Sequence, residues 1–182
     1  MRKMRLFIAI NLSDEIKESL CLTMRELQAE GSKGTFSGRE NLHLTLVFLG
    51  EVERSRISDI KAAMETVAFA PFDIEIGSPG RFRRDEGDIL WIGLKPNSKL
   101  ASMRESLIKE LKKRNFSPDD KPFKPHLTLG RRVVGGGRIP ENTAGLRQSV
   151  TSMELMLSER TNGKLIYTPL YSRKVDRSAQ EY

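Results

Sequence analysis

The tetrapeptide His43-Leu44-Thr45-Leu46 occurs a second time in this chain, as His126-Leu127-Thr128-Leu129. The chain of 182 residues contains only two histidines, and each of them begins one copy. Threonine and the apolar residues around it favour extended backbone, in which successive side chains point to opposite faces. Each copy is therefore predicted to be a β-strand that presents a histidine and a threonine on one face and leucines on the other.

The same alternation assigns the residues that follow each tetrapeptide to a face. In the first copy it places Val47 on the histidine face and Phe48 on the leucine face. In the second copy it places Arg131 on the leucine face, away from the histidine. Gly130 could relieve this by permitting a bulge that returns the Arg131 side chain to the histidine face.

Two such strands facing each other across a cleft could act on one phosphoryl group. Imidazole titrates near neutrality, so one histidine can be neutral while the other is protonated. One would take a proton from attacking water and the other would protonate the departing oxygen. The hydroxyls of Thr45 and Thr128 and the guanidinium of Arg131 could hold the phosphoryl oxygens. A metal site is the competing use of two histidines, but neither motif carries an acidic ligand beside its histidine, so we expect no metal and no cofactor.

The rest of the chain alternates strand and helix signals, an order that indicates an α+β fold. Apolar spacing predicts helices that begin near Ser13, near Ser55 and at Asn97 or Ser98. Gly50 is predicted to end the first motif strand, Trp91 is assigned to the core, and residues 77–87, rich in Gly, Pro and Arg, are predicted to form a loop. The predicted strands are 5–10, 42–49, 72–76, 89–94, 126–131, 150–157 and 164–170.

Composition limits the class of protein and its partners. The length fits a single domain, expected over residues 1–175, with a disordered tail at 176–182. A net charge of +7 favours an anionic partner such as RNA or DNA. The single cysteine excludes an internal disulfide framework and fits a reducing cytosol, and no apolar stretch is long enough to span a bilayer. We therefore expect a cytoplasmic protein, and a monomer.

Several segments, in order and over most of the chain, resemble one known family. They are Arg5–Ile10, Asn41–Gly50, Leu90–Leu94 and Phe123–Arg131. With the paired motifs, they are similar to the 2H phosphoesterase superfamily. Within it, they look like the RNA 2′,3′-cyclic phosphodiesterase branch, historically called 2′-5′ RNA ligase.

That resemblance implies two pseudo-symmetric lobes, each a mainly antiparallel sheet with helices on the outside, and an active-site groove between them. It implies metal-independent hydrolysis of an RNA 2′,3′-cyclic phosphate to a 2′-phosphomonoester. His43 would match the family's proton donor and His126 its proton acceptor, while Thr45, Thr128 and Arg131 would match the phosphate-holding groups. Phe7 and Phe123 could stack on a base, with buried packing the favoured role for Phe7.

Three alternatives stay open from the sequence. Within the same class, the chain could join 2′-5′ RNA ends or act on small cyclic nucleotides. From a different class, it could be a non-catalytic RNA-binding module with a basic cleft. Binding to a phosphate backbone needs arginine and lysine but no imidazole, so the presence of both motif histidines favours an enzyme.

Overall fold

The computed structural model describes residues 3–119 and 121–175. These residues form three helices, α1 (Asp14–Ala29), α2 (Ile57–Glu65) and α3 (Ser98–Lys113). The predicted disordered tail, 176–182, lies outside the described residues. The strands are β1 (Lys3–Asn11), β2 (Lys33–Phe36), β3 (His43–Glu53), β4 (Phe72–Phe82), β5 (Asp88–Leu94), β6 (His126–Val134), β7 (Arg147–Val150), β8 (Ser152–Thr161) and β9 (Lys164–Lys174).

The strands form two antiparallel sheets, one for each lobe. The first sheet has four strands in the order β3-β1-β8-β9, and the second has five in the order β2-β6-β5-β4-β7. The chain crosses from the second sheet to the first twice, between β2 and β3 and again between β7 and β8. The predicted α+β fold with two antiparallel lobes is confirmed.

One apolar core lies behind both sheets. Leu6, Ile8 and Ile10 of β1 share it with the leucines of both motifs and with the inner sides of the three helices. Phe7, on the opposite face of β1, belongs instead to a small separate cluster with Ala9 and Met156. The first sheet thus has one face in the main core and a second, smaller apolar cluster on its other face.

Two of the three helices begin where the sequence predicts. Ser13 caps α1, with its Oγ accepting from the backbone N–H of Ile16 at 3.3 Å, and Asn97 caps α3 in the same way. The prediction that Ser55 begins α2 is wrong, because a short 3-10 turn over Arg54–Arg56 comes first. No helix within the described residues is long and apolar enough to cross a bilayer.

Two predicted strand ends are also wrong. Strand β3 continues past Gly50 to Glu53, because Gly50 adopts a φ of +69° at a bulge opposite β1. Strand β4 extends to Phe82 through most of the predicted loop. Its outer edge has no β7 partner beyond Glu75, so Pro79 removes no ladder hydrogen bond there. Strands β2 and β7 have only four residues each, which is too short for their sequences alone to distinguish them from loops.

Candidate active site

The two motif strands lie beside each other, one from each sheet. Strand β3 is an edge strand of the first sheet and contacts β6 of the second. In each strand the histidine and threonine of the motif are half-buried, whereas the leucines behind them are fully buried. Within each tetrapeptide, the side chains therefore lie on the predicted faces of the strand.

Both motif strands carry a bulge at the fourth residue of the tetrapeptide. In β3, Thr45 pairs with Ala9 but Val47 pairs with the next residue, Ile8, so Leu46 is the extra residue. In β6, Thr128 and Gly130 pair with consecutive residues of β5, so Leu129 is the extra residue. A one-residue bulge reverses the alternation of side chains beyond it.

The bulges change which later residues face the groove. The prediction for β3 is wrong: Val47 is buried in the main core, while Phe48 is exposed and its ring lies 6.1 Å from the ring of Phe7. In β6 the bulge moves Arg131 to the histidine face, as the flexibility of Gly130 suggested. The charge of Arg131 accordingly acts on both His43 and His126.

The ring of His43 is held by two hydrogen bonds. Its Nδ1 lies 2.7 Å from the carbonyl oxygen of Asn41, and its Nε2 lies 2.8 Å from Oγ1 of Thr45. A carbonyl oxygen can only accept, so Nδ1 carries the proton that it donates. The nitrogen available for proton transfer is therefore Nε2.

His126 is held in the same way. Its Nδ1 donates to the carbonyl oxygen of Lys124 at 2.6 Å, which leaves Nε2 of the neutral ring free of a proton and able to accept one. Thr128 is half-buried on the same face of β6, and its backbone carbonyl accepts from the Ser37 hydroxyl at 2.9 Å. Each histidine thus donates to the carbonyl two residues before it, which fixes the same tautomer at both sites.

Burial lowers the pKa of both imidazoles below their ordinary value of 6.5, because it disfavours the charged form. The hydrogen bonds to the carbonyls of Asn41 and Lys124 oppose this effect by stabilising imidazolium. The charge of Arg131 lowers both values further, and the charge of His126 also lowers the pKa of His43. Both histidines are therefore mostly neutral in the unliganded protein at pH 7.

Aromatic rings surround each histidine. The ring of His43 lies 4.9 Å from that of Phe7 and 5.1 Å from that of Tyr167. The ring of His126 lies 5.2 Å from that of Phe82 and 6.1 Å from that of Trp91. In both lobes an aromatic residue of the neighbouring strand therefore forms one wall beside the histidine.

The assignment of Trp91 to the core is wrong, because its indole is only half-buried and lies beside His126. The indole lies across Gly80 of β4, where an added Cβ would come within 2.2–2.8 Å of three of its ring atoms. Lys124 places its ammonium 5.5 Å from the indole ring and 5.4 Å from that of Phe82. The absence of a side chain at Gly80 is what allows this packing.

Asn41 is a residue of the site that motif reasoning did not single out. Its side-chain Nδ2 donates to the carbonyl of Leu165 at 2.8 Å, and its Oδ1 accepts from the backbone N–H of Tyr167 at 3.1 Å. These bonds attach Asn41 to strand β9, and the carbonyl of Asn41 in turn orients the ring of His43. Asn41 does lie in one of the segments that carry the family resemblance, two residues before the histidine, which is the signal that could have identified it.

Two arginines of the segment 77–87, which the sequence predicted to be a loop, form ion pairs within the second sheet. Arg81 and Arg83 both form ion pairs with Asp88, at 3.3 and 2.9 Å. Asp88 is buried, so these pairs compensate its carboxylate. Within residues 3–119 and 121–175, no three His, Cys, Asp or Glu side chains are grouped as metal ligands.

Comparison of the chain with known proteins identifies its family. The sequence model of the 2′-5′ RNA ligase superfamily matches residues 16–138, which include both motifs. The RNA 2′,3′-cyclic phosphodiesterase of Archaeoglobus fulgidus is 38% identical over 130 residues, which cover 70% of this chain and 72% of that protein. This chain belongs to the 2′-5′ RNA ligase superfamily.

Two further comparisons cover nearly the whole chain. The RNA 2′,3′-cyclic phosphodiesterase of Escherichia coli is 29% identical over 167 residues, 91% of this chain and 93% of that protein. The crystal structure of E. coli LigT in its apo form superposes with a TM-score of 0.83 at 26% identity, and the alignment covers 97% of this chain and all of LigT. The resemblance drawn from the sequence is thereby confirmed for both family and fold.

Proposed function

We propose that this protein hydrolyses 2′,3′-cyclic phosphate ends of RNA to 2′-phosphomonoesters, with His43 as proton donor and His126 as proton acceptor. The observation that carries the proposal is the matched pair of histidines in one groove. Each is fixed through Nδ1 to a backbone carbonyl and keeps Nε2 for proton transfer. Relatives that bear the name RNA 2′,3′-cyclic phosphodiesterase, at 38% and 29% identity, support the substrate.

The reaction is an in-line displacement at phosphorus. Nε2 of His126 accepts a proton from water as the water oxygen forms a bond to phosphorus. The bond between phosphorus and the ribose O3′ breaks, and Nε2 of His43 gives its proton to O3′. The product carries a 3′-hydroxyl and a 2′-phosphate, and proton exchange with solvent returns both histidines to their starting forms.

Arg131 and the two motif threonines stabilise the phosphoryl group in this proposal. The bulge in β6 turns the guanidinium toward the groove, where its positive charge acts on both imidazoles. The same charge would stabilise the negative charge that builds on the non-bridging oxygens. Thr45 can donate its hydroxyl proton to the phosphate when His43 Nε2 is protonated and no longer accepts it.

Binding of the anionic substrate also explains how His43, the proposed proton donor, becomes protonated. Burial and Arg131 lower the pKa of His43 in the unliganded site, so the protonated form is a minority at pH 7. A cyclic phosphate brings a negative charge against this imidazole, which raises its pKa. Substrate binding thus promotes the ionisation state that the reaction needs.

The test is the end chemistry of an RNA oligonucleotide with a 2′,3′-cyclic phosphate, incubated with the protein in EDTA. We expect a 2′-phosphate, because O3′ is the leaving group, and we expect EDTA to have no effect. A 3′-phosphate would reverse the assignment of the leaving oxygen, and loss of activity in EDTA would contradict catalysis by the histidines alone. Binding without opening would favour the non-catalytic alternative.

The monomeric state and a cytoplasmic location remain predictions from the sequence. We propose a monomer, and we propose a cytoplasmic location because the single cysteine, Cys21, allows no internal disulfide and fits a reducing compartment. Size-exclusion chromatography with light scattering would measure the first, and fractionation of cells would measure the second.

A further inference from the structure

Strands β1 and β8 separate at one end of the first sheet and leave a cavity between them. The two strands pair from Arg5 to Ala9 on β1, and the pairing ends where Ala9 lies opposite Glu154. Beyond that point β1 leads into α1, and β8 comes from β7 of the second sheet. The space between these two connections is a cavity of about 340 Å³ at the junction of the lobes.

The walls of this cavity carry hydrogen-bonding groups and, within the described part of the chain, no charged side chain. The polar residues that line it are Asn11, Ser13, Gln148, Ser149, Thr151 and Ser152. Gln148 bridges the two walls, because its Oε1 accepts from the backbone N–H of Ser13 and its Nε2 donates to the carbonyl of Asn11, both at 2.8 Å. Neutral donors and acceptors of this kind suit the hydroxyls and base edges of a nucleoside better than they suit a phosphate.

The cavity adjoins the groove residues that lie in a row with His43. Asn11 of β1 is the cross-strand partner of His43, so the two side chains lie on the same face of the sheet, and Asn11 is exposed there. Ser152 and Glu154 of β8 share that face, since Glu154 lies opposite Ala9. Ser152 donates its hydroxyl proton to Oε1 of Glu154 at 2.8 Å, and its oxygen keeps lone pairs for a ligand. The groove therefore continues from His43 past Asn11 to the cavity.

A lysine lies near the same histidine. Lys17 is half-buried near the start of α1. Burial is the main cause of the lowered pKa of His43, but the positive charge of Lys17 also contributes, which places that charge close to the imidazole. Asp14, one turn earlier on the helix, forms its ion pair with Arg39 at 2.7 Å. Within residues 3–119 and 121–175 Lys17 has no ion pair of its own, so its ammonium is available to an anion.

The proposed reaction decides where the rest of the RNA must go. Because O3′ receives its proton from His43, the ribose of the terminal nucleotide lies against the first lobe. The chain leaves this ribose through O5′ and the phosphodiester that joins it to the preceding nucleotide. On one side of His43 the face of β1 is apolar, and Phe7 is buried there beside Met156, as the sequence led us to expect for Phe7. A phosphodiester and a ribose need charged or hydrogen-bonding partners, and those lie on the other side, at Asn11, Lys17 and the cavity.

We propose that this cavity binds the nucleotide that precedes the cyclic end of the RNA, an inference that rests on the proposed function. Lys17 binds the phosphodiester between the two nucleotides, and the neutral walls bind the preceding nucleoside. A smaller cavity of about 180 Å³ fits this role less well. It lies at the β4 and β7 edge of the second sheet, away from both motif strands, and its Arg147 is already paired with Glu75 at 2.6 Å.

The experiment compares adenosine 2′,3′-cyclic phosphate with the dinucleotide ApA that ends in the same cyclic phosphate. We expect the wild-type protein to open the dinucleotide with a kcat/KM about 10-fold higher, since a hydrogen-bonded nucleoside and one phosphate contact add binding of that order. Thr151→Phe fills the cavity from an exposed position and should bring the two values to the same level. Thr161→Phe places the same ring at the other end of β8, also at an exposed position, and should keep the wild-type preference.

Lys17→Met tests the contact with the phosphodiester. It should lower the ratio of the two kcat/KM values about 5-fold and remove about 0.7 from the slope of log kcat/KM against log salt for the dinucleotide. Lys109→Met removes an exposed lysine of α3 whose charge is not among those that shift either histidine, and it should change neither quantity. Equal losses on both substrates in Lys17→Met, an unchanged ratio in Thr151→Phe, or a wild-type protein without preference for the dinucleotide would overturn the proposal.

Binding of products, measured by calorimetry, separates this inference from the proposed function. If the wild-type protein opens neither cyclic phosphate, the proposed function fails, and the cavity is judged by affinity alone. We then expect ApA with a terminal 2′-phosphate to bind about 10-fold more tightly than adenosine 2′-monophosphate, and Thr151→Phe to remove the difference. Equal affinity of the wild-type protein for the two nucleotides would overturn the proposed site whatever the outcome for catalysis.

Discussion

The backbone carbonyl oxygen of Asn41 lies 2.7 Å from Nδ1 of His43 and accepts the hydrogen bond that orients the imidazole ring. The asparagine side chain is itself fixed, because it bonds to the backbone of Leu165 and Tyr167 in β9. The ring of His43 is therefore oriented by a strand three places away in its own sheet. An equivalent carbonyl, that of Lys124, orients His126.

Removal of the Asn41 side chain should loosen this orientation. We expect Asn41→Ala to lower kcat about 10-fold with the fold retained, because small misplacements of a catalytic group cost large factors in rate. Asn142→Ala is the matched control, since Asn142 bonds to Thr23 and Glu26 and touches no residue of the groove. Asn41→Asp should raise the pKa of His43 by adding a negative charge nearby, and a pH–rate profile that does not move would argue against this positioning role.

The two histidines should be separately essential. We expect His43→Ala and His126→Ala each to lower turnover roughly 10²-fold or more, because each removes one proton transfer from the reaction. Steady-state hydrolysis of a cyclic-phosphate oligonucleotide measures this, with circular dichroism to show that each variant is folded. Near-wild-type turnover in either variant would remove that histidine from the mechanism.

The lowered pKa values predict the pH dependence. Activity should fall on the acid side as His126 becomes protonated, and on the alkaline side as His43 loses its proton. Because burial lowers both pKa values, the bell in kcat/KM should be centred below pH 6.5. Bound phosphate raises the pKa of His43, so the alkaline limb of kcat should lie at higher pH than that of kcat/KM. Coincident alkaline limbs would contradict that step.

Arg131 should affect both rate and pH dependence. We expect Arg131→Ala to lower kcat roughly 10²-fold, since a preorganised cation at the phosphoryl oxygens is lost. Its removal should also raise the pKa of both histidines, because its charge lowers them. Arg132→Ala is the control: it removes the neighbouring exposed guanidinium, which is not among the charges that shift either histidine. Equal effects of the two variants would assign the loss to net charge alone.

Gly80 tests the packing behind His126. A Cβ at Gly80 would overlap the indole of Trp91, so Gly80→Ala should displace the indole and destabilise the fold by about 1–3 kcal/mol. Trp91 is the only tryptophan of the chain, so its fluorescence reports the displacement directly. Gly137→Ala serves as the control, because a Cβ there meets only the Glu30 carboxylate at 3.4 Å. An unchanged emission spectrum and unfolding midpoint in Gly80→Ala would contradict the close packing of the indole against Gly80.

The sequence by itself determined the family, the class of fold and the faces of the two motif tetrapeptides. Two identical tetrapeptides, each opened by one of the only two histidines, predicted paired strands with an imidazole and a hydroxyl on one face. Apolar spacing likewise predicted the three helices, with one start misplaced. These signals are local, because alternation and helical spacing arise within a single element.

Only the tertiary structure decided where the residues outside the tetrapeptides point. Strand pairing creates the bulges at Leu46 and Leu129, and those bulges expose Phe48, bury Val47 and bring Arg131 to the groove. The role of Gly80 depends in the same way on Trp91 of the next strand. Register between strands is set by pairing across the sheet, so alternation read along one strand cannot reveal an extra residue in the ladder.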